Sequence, residues 1–135
     1  MDIDFKSHVD DVLSSLISKK DKALEMCGIL AEGYAKENLT SSGAVDTGNL
    51  RNSVAHKAVN DTEYVGTNVE YGVYVELGTG IYTAGGRQTP WVYQDEKGQW
   101  HRTRGMKARP FIKPAAADHV AQYNQVIEDT LRSDK

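Results

Sequence analysis

The sequence predicts an α+β fold, in which a long N-terminal helix and a C-terminal helix pack on a small antiparallel sheet, with a protruding loop and β-hairpin. Two observations predict the helices, because apolar residues recur at helical spacing over residues 5–38 and again over 111–132. A third predicts the sheet, because short runs of β-forming residues separated by turn residues lie between those stretches. The 135 residues are enough to bury a core, so we expect residues 1–135 to form a single domain.

Residues 5–38 predict one long amphipathic helix. Its apolar residues recur at steps of three, four or seven. They are Phe5, Val9, Val12, Leu13, Leu16, Ala23, Cys27, Leu30 and Tyr34. A helix of this length extends about 50 Å, which is long for a small domain, so we expect part of it to lie against another subunit. The only cysteine, Cys27, falls on the apolar face, and we expect it to be buried rather than reactive.

Residues 50–77 predict antiparallel strands. The runs 50–59 and 63–68 are rich in β-forming residues and are separated by the turn-like residues 60–62. Over residues 71–77 the pattern alternates, which predicts an extended segment with one apolar face. That face would consist of Tyr71, Val73, Val75 and Leu77.

Residues 78–104 predict a flexible loop followed by a β-hairpin. The first dozen residues are glycine-rich and weakly patterned, which is typical of a mobile loop. The strand-like runs 91–94 and 99–102 then flank a four-residue turn. A turn of that length would set Tyr93 opposite Trp100, an aromatic pair that stabilises a two-stranded ribbon.

The formal net charge of −3 does not suggest a nucleic-acid binder. Between residues 97 and 113, however, the chain has six basic residues and no acid. This segment is a solvated face or, alternatively, a patch that meets an acidic partner subunit or DNA. Aromatic and basic residues interleave over residues 91–104, and together with their neighbours they form our candidate partner interface. It consists of Arg87, Trp91, Tyr93, Trp100, Arg102, Arg104, Lys107 and Arg109.

No catalytic, cofactor-binding or metal-binding constellation is evident. The phrase 46–48 is similar to the loop of aspartic proteases, but that chemistry needs two carboxylates in an all-β frame. A local turn explains the same residues. The glycine-rich phrase 74–80 is similar to the first motif of methyltransferases, but the later strand–helix units that such a fold requires are missing. The four histidines lie far apart in the sequence, so we expect no metal site.

The first residues lack the basic and apolar regions of a signal peptide, and no apolar run approaches the length of a membrane span. We therefore expect no membrane partner.

Three phrases, at residues 45–53, 66–79 and 105–115, carry a resemblance to a known family. Their motif positions are Asp46, Thr47, Gly48, Leu50, Arg51, Ser53, Gly66, Thr67, Tyr71, Tyr74, Val75, Glu76, Gly78, Thr79, Pro110, Phe111 and Pro114. In this order they resemble the neck and tail-completion proteins of long-tailed bacteriophages and prophages, a family of head–tail joining tail components. The segment 82–104 departs from the family pattern.

This resemblance implies a virion structural protein at the head–tail junction or the top of the tail tube, assembled in the bacterial host cytoplasm. It implies a subunit of a homo-oligomeric ring, such as a hexamer. The other partners would be adjacent neck, tail-terminator or tail-tube proteins, with non-specific contact to DNA in the channel. It implies no enzymatic activity and no cofactor. The alternatives are a small DNA-binding or packaging accessory protein, and an enzyme with a ligand pocket near Asp46 or Glu76.

Overall fold

A computed structural model describes residues 2–42, 48–95 and 97–133, with side chains from residue 9 onward. The elements in chain order are α1 (Asp2–Ser42), α2 (Asn49–Ser53), β1 (Ala55–Val59), β2 (Thr62–Gly66), α3 (Gly72–Leu77), a 3₁₀ turn (Gly80–Tyr82), β3 (Trp91–Gln94), β4 (Trp100–Thr103), α4 (Ile112–Ala117) and α5 (Val120–Arg132). The α+β class is confirmed, with long terminal helical regions and small antiparallel sheets. None of the helices in the described part is long and apolar enough to cross a membrane.

The long N-terminal helix α1 is continuous and extends a few residues beyond both predicted ends. The chain has no proline before residue 90, so no residue in this stretch interrupts the backbone hydrogen bonds. Its buried hydrophobic positions are mainly small and recur every fourth residue, which allows the neighbouring elements to approach closely. They are Ala23, Cys27, Ala31, Ala35 and Leu39, so the expected burial of the cysteine is confirmed.

The strands β1 and β2 form an antiparallel hairpin that packs on α1. Asn60 and Asp61 connect them, both with positive φ (49° and 65°), as a two-residue turn that fits the strand twist requires. Ala58 pairs with Glu63 and His56 pairs with Val65, which places these four side chains on one face of the hairpin. The hairpin thus brings polar side chains to the surface of α1.

Two segments predicted as strand are helical, namely α2 and α3. In a six-residue segment such as α3, alternation of apolar and polar residues does not distinguish a strand from about one and a half turns of helix. Gly72 and Val75 are the buried pair on α3, which is a helical spacing, whereas Val73 and Leu77 of the predicted apolar face are exposed. Gly72 allows this packing, because a Cβ there would lie 2.8 Å from the Thr67 Cγ2 atom.

The loop predicted to be mobile is held by backbone hydrogen bonds at its start. The Thr79 N–H donates to the Met106 carbonyl at 2.9 Å, and the Ile81 N–H donates to the Arg104 carbonyl at 3.0 Å. The Met106 N–H in turn donates to the Thr79 hydroxyl at 2.8 Å. Gly80 and Gly105 permit this close approach of the two backbone segments, because a Cβ on either glycine would collide with the backbone of the facing segment.

The second predicted hairpin, β3–β4, is present, but the predicted register is wrong. Tyr93 lies opposite His101, and Trp100 lies opposite Gln94. The connection has one more residue than predicted because Asp95 Oδ1 accepts the N–H groups of both Lys97 and Gln99, which builds a wider turn. Among the described helices and strands, β3 and β4 pack substantially only on each other. This hairpin therefore projects from the rest of the fold.

The C-terminal region is two helices rather than the predicted single helix over 111–132. The break is at His119, whose backbone leaves the helical range and whose ring stacks on Tyr34 of α1 at 3.5 Å between centroids. The Tyr123 hydroxyl donates to the Ala115 carbonyl at 2.5 Å, so a side chain replaces a hydrogen bond that a continuous helix would supply from its backbone.

The buried core lies where α1, α2, α3 and α4 meet. It consists of Ala35, Leu39, Leu50, Val54, Val75, Phe111 and Ala115. Phe111 and Leu39 are the largest side chains that are fully buried. The core is therefore assembled from segments that are widely separated in the sequence.

Candidate functional site

Each of the three phrases contributes one large side chain to the buried core. These are Leu50 from the first phrase, Val75 from the second and Phe111 from the third. The order and spacing of the phrases thus have a structural explanation, because a buried aromatic or branched side chain stabilises the fold by about 1.5–3 kcal/mol.

Glu76 connects the second phrase to the third. Its Oε2 atom accepts the N–H groups of Phe111 at 2.6 Å and Ile112 at 3.0 Å, and Oε1 accepts the Lys113 N–H at 2.9 Å. Phe111, at the cap position of α4, makes no side-chain cap of its own. A carboxylate at a helix N-terminus satisfies unpaired donors and interacts favourably with the helix dipole. This carboxylate therefore has a structural role at the start of α4.

Five further motif residues have local structural roles. The hydroxyls of Ser53 and Thr67 are 2.5 Å apart, which joins the end of α2 to the segment after β2. Gly48 has a φ of 76° at the start of α2, as expected for a glycine turn. The expected turn residues Asp46 and Thr47 lie outside the described residues. Gly78, with a φ of 81°, and Thr79 lie against the backbone of residues 106–108.

Other motif positions face solvent. Exposed ones are Arg51, Tyr71, Tyr74 and Pro110, while Gly66 and Pro114 are half-buried. Two of them, both tyrosines, belong to a group of apolar and aromatic side chains on α3 and the following 3₁₀ turn that are 40–58% exposed. This group, here named the α3 patch, consists of Tyr71, Val73, Tyr74, Leu77, Ile81 and Tyr82.

A second uncovered group lies on the N-terminal half of α1. Every residue from 9 to 18 is exposed, and five of them are large apolar side chains with exposures of 41–57%. This group, here named the α1 patch, consists of Val9, Val12, Leu13, Leu16 and Ile17. Just beyond it, the Lys19 ammonium donates to the Ser133 carbonyl and Lys20 pairs with Asp61 at 2.5 Å.

The candidate partner interface lies on and around the projecting hairpin. The Trp100 side chain is 68% exposed, and the Tyr93 ring stacks on His101 with a centroid distance of 5.3 Å. The Arg87 guanidinium lies 5.6 Å from the centroid of the Trp91 ring, within cation–π range. Arg102, Arg104, Lys107 and Arg109 are exposed as well. No salt bridge within the described residues involves any of the interface cations.

One cluster was not expected from the sequence. His56 on β1 lies 3.1 Å (Nε2) from Glu25 Oε1 and 3.3 Å (Nδ1) from Glu32 Oε1, both on α1. The hydrogen bond with Glu25 raises the pKa of His56 above its usual value, burial opposes this effect, and Glu32 adds to it. One ligand atom each from Glu25, His56 and Glu63 lie within 4.8 Å of one another, the one such group of potential metal ligands in the described part of the chain.

The sequence indicates which side chains of this cluster share a face of each element, but not that the two faces meet. Glu25 and Glu32 are seven residues apart and therefore on one helical face. His56 and Glu63 lie on one face of a hairpin whose turn, Asn60 and Asp61, falls within the predicted turn 60–62 and is one residue shorter. What the sequence did not reveal is that these two faces pack on each other, because polar residues on both surfaces would normally indicate solvent.

Residues 4–78 match the model of the HK97-gp10-like family, described as "Bacteriophage HK97-gp10, putative tail-component". The match spans more than half of the chain and covers the first phrase, the first hairpin, α3, and all but one or two residues of the second phrase and of α1. Neither the comparison with curated proteins nor the comparison with solved structures gives a match.

Proposed function

The chain belongs to the HK97-gp10-like family of phage tail components, and from this premise we propose that it is a ring subunit of the virion neck or tail top that joins or completes the head–tail assembly. The role is structural rather than enzymatic, in keeping with a family of tail components. The engagement of Glu76 in three backbone hydrogen bonds supports this view.

The observation that carries the proposal is the uncovered α1 patch. Leu16, Ala23 and Cys27 are seven and four residues apart, so the patch continues the helical face that is buried further along α1. An exposed helix of a few turns gains most of its stability from packing of its apolar face. A second copy of the chain supplies such packing in a ring.

The α3 patch provides the complementary surface for this contact. It belongs to different elements from the α1 patch, so a contact between the α1 patch of one copy and the α3 patch of the next is head-to-tail. A pair of copies joined in this way still has one unused patch on each copy. Contacts of this type form closed rings when the rotation between subunits is suitable. The first patch lies on the family-matched α1 and the second carries the motif tyrosines, Tyr71 and Tyr74.

The experiment is light scattering after size exclusion on the wild type and two double variants. Leu13→Asp with Ile17→Asp places charges in the α1 patch, and Val73→Asp with Leu77→Asp places them in the α3 patch. We expect the wild type to form rings and each variant to be monomeric, because an apolar contact does not tolerate a buried unpaired carboxylate. An equimolar mixture of the two variants should form heterodimers, since each retains the patch that the other lacks.

The matched control is Val92→Asp, which places a carboxylate at an equally exposed apolar position on the hairpin, outside both patches. It should assemble like the wild type. Mixtures that remain monomeric contradict the head-to-tail contact, and an α3-patch variant that still dimerises indicates that α1 pairs with itself. A wild type that is monomeric at every concentration contradicts self-assembly in solution.

We propose that the projecting hairpin and its cations contact what lies next to the ring. A basic patch on an acidic chain complements an acidic neighbouring protein of the neck, the tail terminator or the tail tube. It also allows non-specific contact with the phosphates of DNA that passes through the channel. A DNA-binding accessory protein, the second candidate, is supported by these same residues alone.

A further inference from the structure

We propose that Glu25, His56 and Glu63 bind a divalent first-row transition-metal ion of the Zn²⁺ type, which fastens the β1–β2 hairpin to α1. Nothing in the family description concerns a metal, and this site is separate from both apolar patches. Its success or failure is therefore independent of ring formation.

The donor set and its spacing suit such an ion. One imidazole and two carboxylates are ligands that Zn²⁺ and its neighbours accept. Two donors that each lie about 2.1 Å from one ion are about 3–3.4 Å apart at octahedral to tetrahedral angles. The His56 Nε2 and Glu25 Oε1 atoms, at 3.1 Å, already have that separation. The Glu63 ligand atom lies within 4.8 Å of the other two, so the Glu63 carboxylate moves toward them to complete a three-ligand site with an open position for water.

Glu63 provides the independent observation. Both of its carboxylate oxygens are shielded from solvent, and neither has a hydrogen-bond partner among the residues that the structure describes. A buried carboxylate without a partner is costly, and such groups normally pair with a donor or coordinate a metal. A cation at this position would satisfy the orphaned oxygens.

Glu32 completes the arrangement from behind the histidine. Its Oε1 atom lies 3.3 Å from His56 Nδ1, and Lys36 holds its other oxygen at 3.3 Å. A proton on Nδ1 that is shared with Glu32 leaves the Nε2 lone pair directed toward Glu25. Histidine ligands in metal sites are typically oriented by a carboxylate in this way.

Gly28 of α1 provides the space. A Cβ at this position would lie 2.5 Å from His56 Cδ2 and 2.7 Å from Glu63 Cδ. Any other residue would therefore push the histidine and the carboxylate off the helix surface and open the cluster.

The competing way to neutralise the cluster is a proton. Burial raises the pKa of Glu63, and the nearby Glu25 charge adds to that effect while His56 opposes it. A proton on Glu63 neutralises that carboxylate alone and satisfies one of its oxygens at most. A metal ion would bind Glu63 and would also lie between the Glu25 and His56 atoms that now contact each other. The two possibilities are distinguished by whether zinc binds with a defined stoichiometry.

The experiment uses the full chain, stripped with chelator and then dialysed against Zn²⁺, with elemental analysis and thermal unfolding as readouts. We expect one bound zinc per chain and an increase in Tm of about 5–10 °C at a zinc concentration a hundredfold above Kd. His56→Ala and Glu63→Gln should each lose the bound zinc and the increase in Tm. Glu63→Gln keeps the shape of the side chain and removes the buried charge, so without zinc it should be at least as stable as the wild type.

The control is His101→Ala, which removes the other histidine–carboxylate pair, His101 with Asp95 at 2.7 Å on the exposed hairpin. It should bind zinc like the wild type. The proposal is overturned if the wild type binds no zinc, if zinc leaves its Tm unchanged, or if Glu63→Gln binds zinc as tightly as the wild type.

Discussion

At the scale of single residues, the Glu76 carboxylate has a role that its position in a motif does not disclose. A motif glutamate beside a glycine-rich loop is a natural candidate for chemistry, yet its two oxygens accept three backbone N–H groups at the start of α4. The neighbouring Val75 carbonyl accepts the Arg109 N–H at 2.7 Å, so two consecutive residues hold the third phrase in place. Phe111 is buried because this contact fixes where α4 begins.

We expect Glu76→Ala to lower the free energy of unfolding by about 2–4 kcal/mol, because three donors, two of them in a half-buried region, lose a charged acceptor. Glu76→Gln keeps one acceptor oxygen and should lose less. Urea unfolding measures both. Glu70→Ala, at an exposed glutamate in the same phrase, is the control and should change stability by no more than about 0.5 kcal/mol. Equal stabilities of the Glu76 and Glu70 variants would contradict the cap.

At the scale of elements, the two glycines within α1 provide a test of what packs on the helix. Gly33 is exposed, and a Cβ added there would have no other atom within 4 Å, whereas Gly28 faces His56 and Glu63. Both cost helix stability relative to alanine, so the difference between them reports the surroundings.

We expect Gly33→Ala to increase stability by about 0.5–1 kcal/mol, since it improves helix propensity in open space. Gly28→Ala should instead decrease stability by about 1–3 kcal/mol, because the added methyl group forces the hairpin away from α1. Urea unfolding of both variants in chelator measures the difference without any contribution from metal. If Gly28→Ala stabilises the chain as much as Gly33→Ala does, the β1–β2 hairpin does not lie where the structure places it.

At the scale of the whole molecule, the proposed contact between the two uncovered patches would make stability depend on assembly. A subunit that buries apolar surface only in a ring is stabilised by mass action, so its unfolding temperature depends on protein concentration.

We therefore expect the Tm of the wild type to rise by about 3–5 °C per tenfold increase in protein concentration. The double variant Leu13→Asp with Ile17→Asp should show no such dependence, because it cannot form the contact. Differential scanning calorimetry over a concentration series measures the effect. A wild-type Tm that is independent of concentration would count against assembly of the free protein.

The fold class, the long helix and both hairpins could be predicted from the sequence, because each depends on local periodicity or turn residues. The helical state of residues 72–77 could not, since six residues satisfy either period and the packing of Gly72 against Thr67 decides the outcome. The break at His119 was hidden for a similar reason, because it depends on stacking against Tyr34 in a distant helix. The His56 cluster requires two surfaces to meet, which periodicity within one segment does not encode.

The backbone pairing at Thr79–Ile81 and Arg104–Met106 closes the base of a long excursion of the chain. We expect the segment beyond that closed base, including the aromatic hairpin, to tolerate changes in length or composition without disturbing Phe111 or the other core residues. If the hairpin contacts the neighbouring protein as proposed, the residues that fold this chain and the residues that recognise its neighbour lie in separate segments. Exchanging the hairpin segment would then redirect the chain to a different neighbour while the core stays the same.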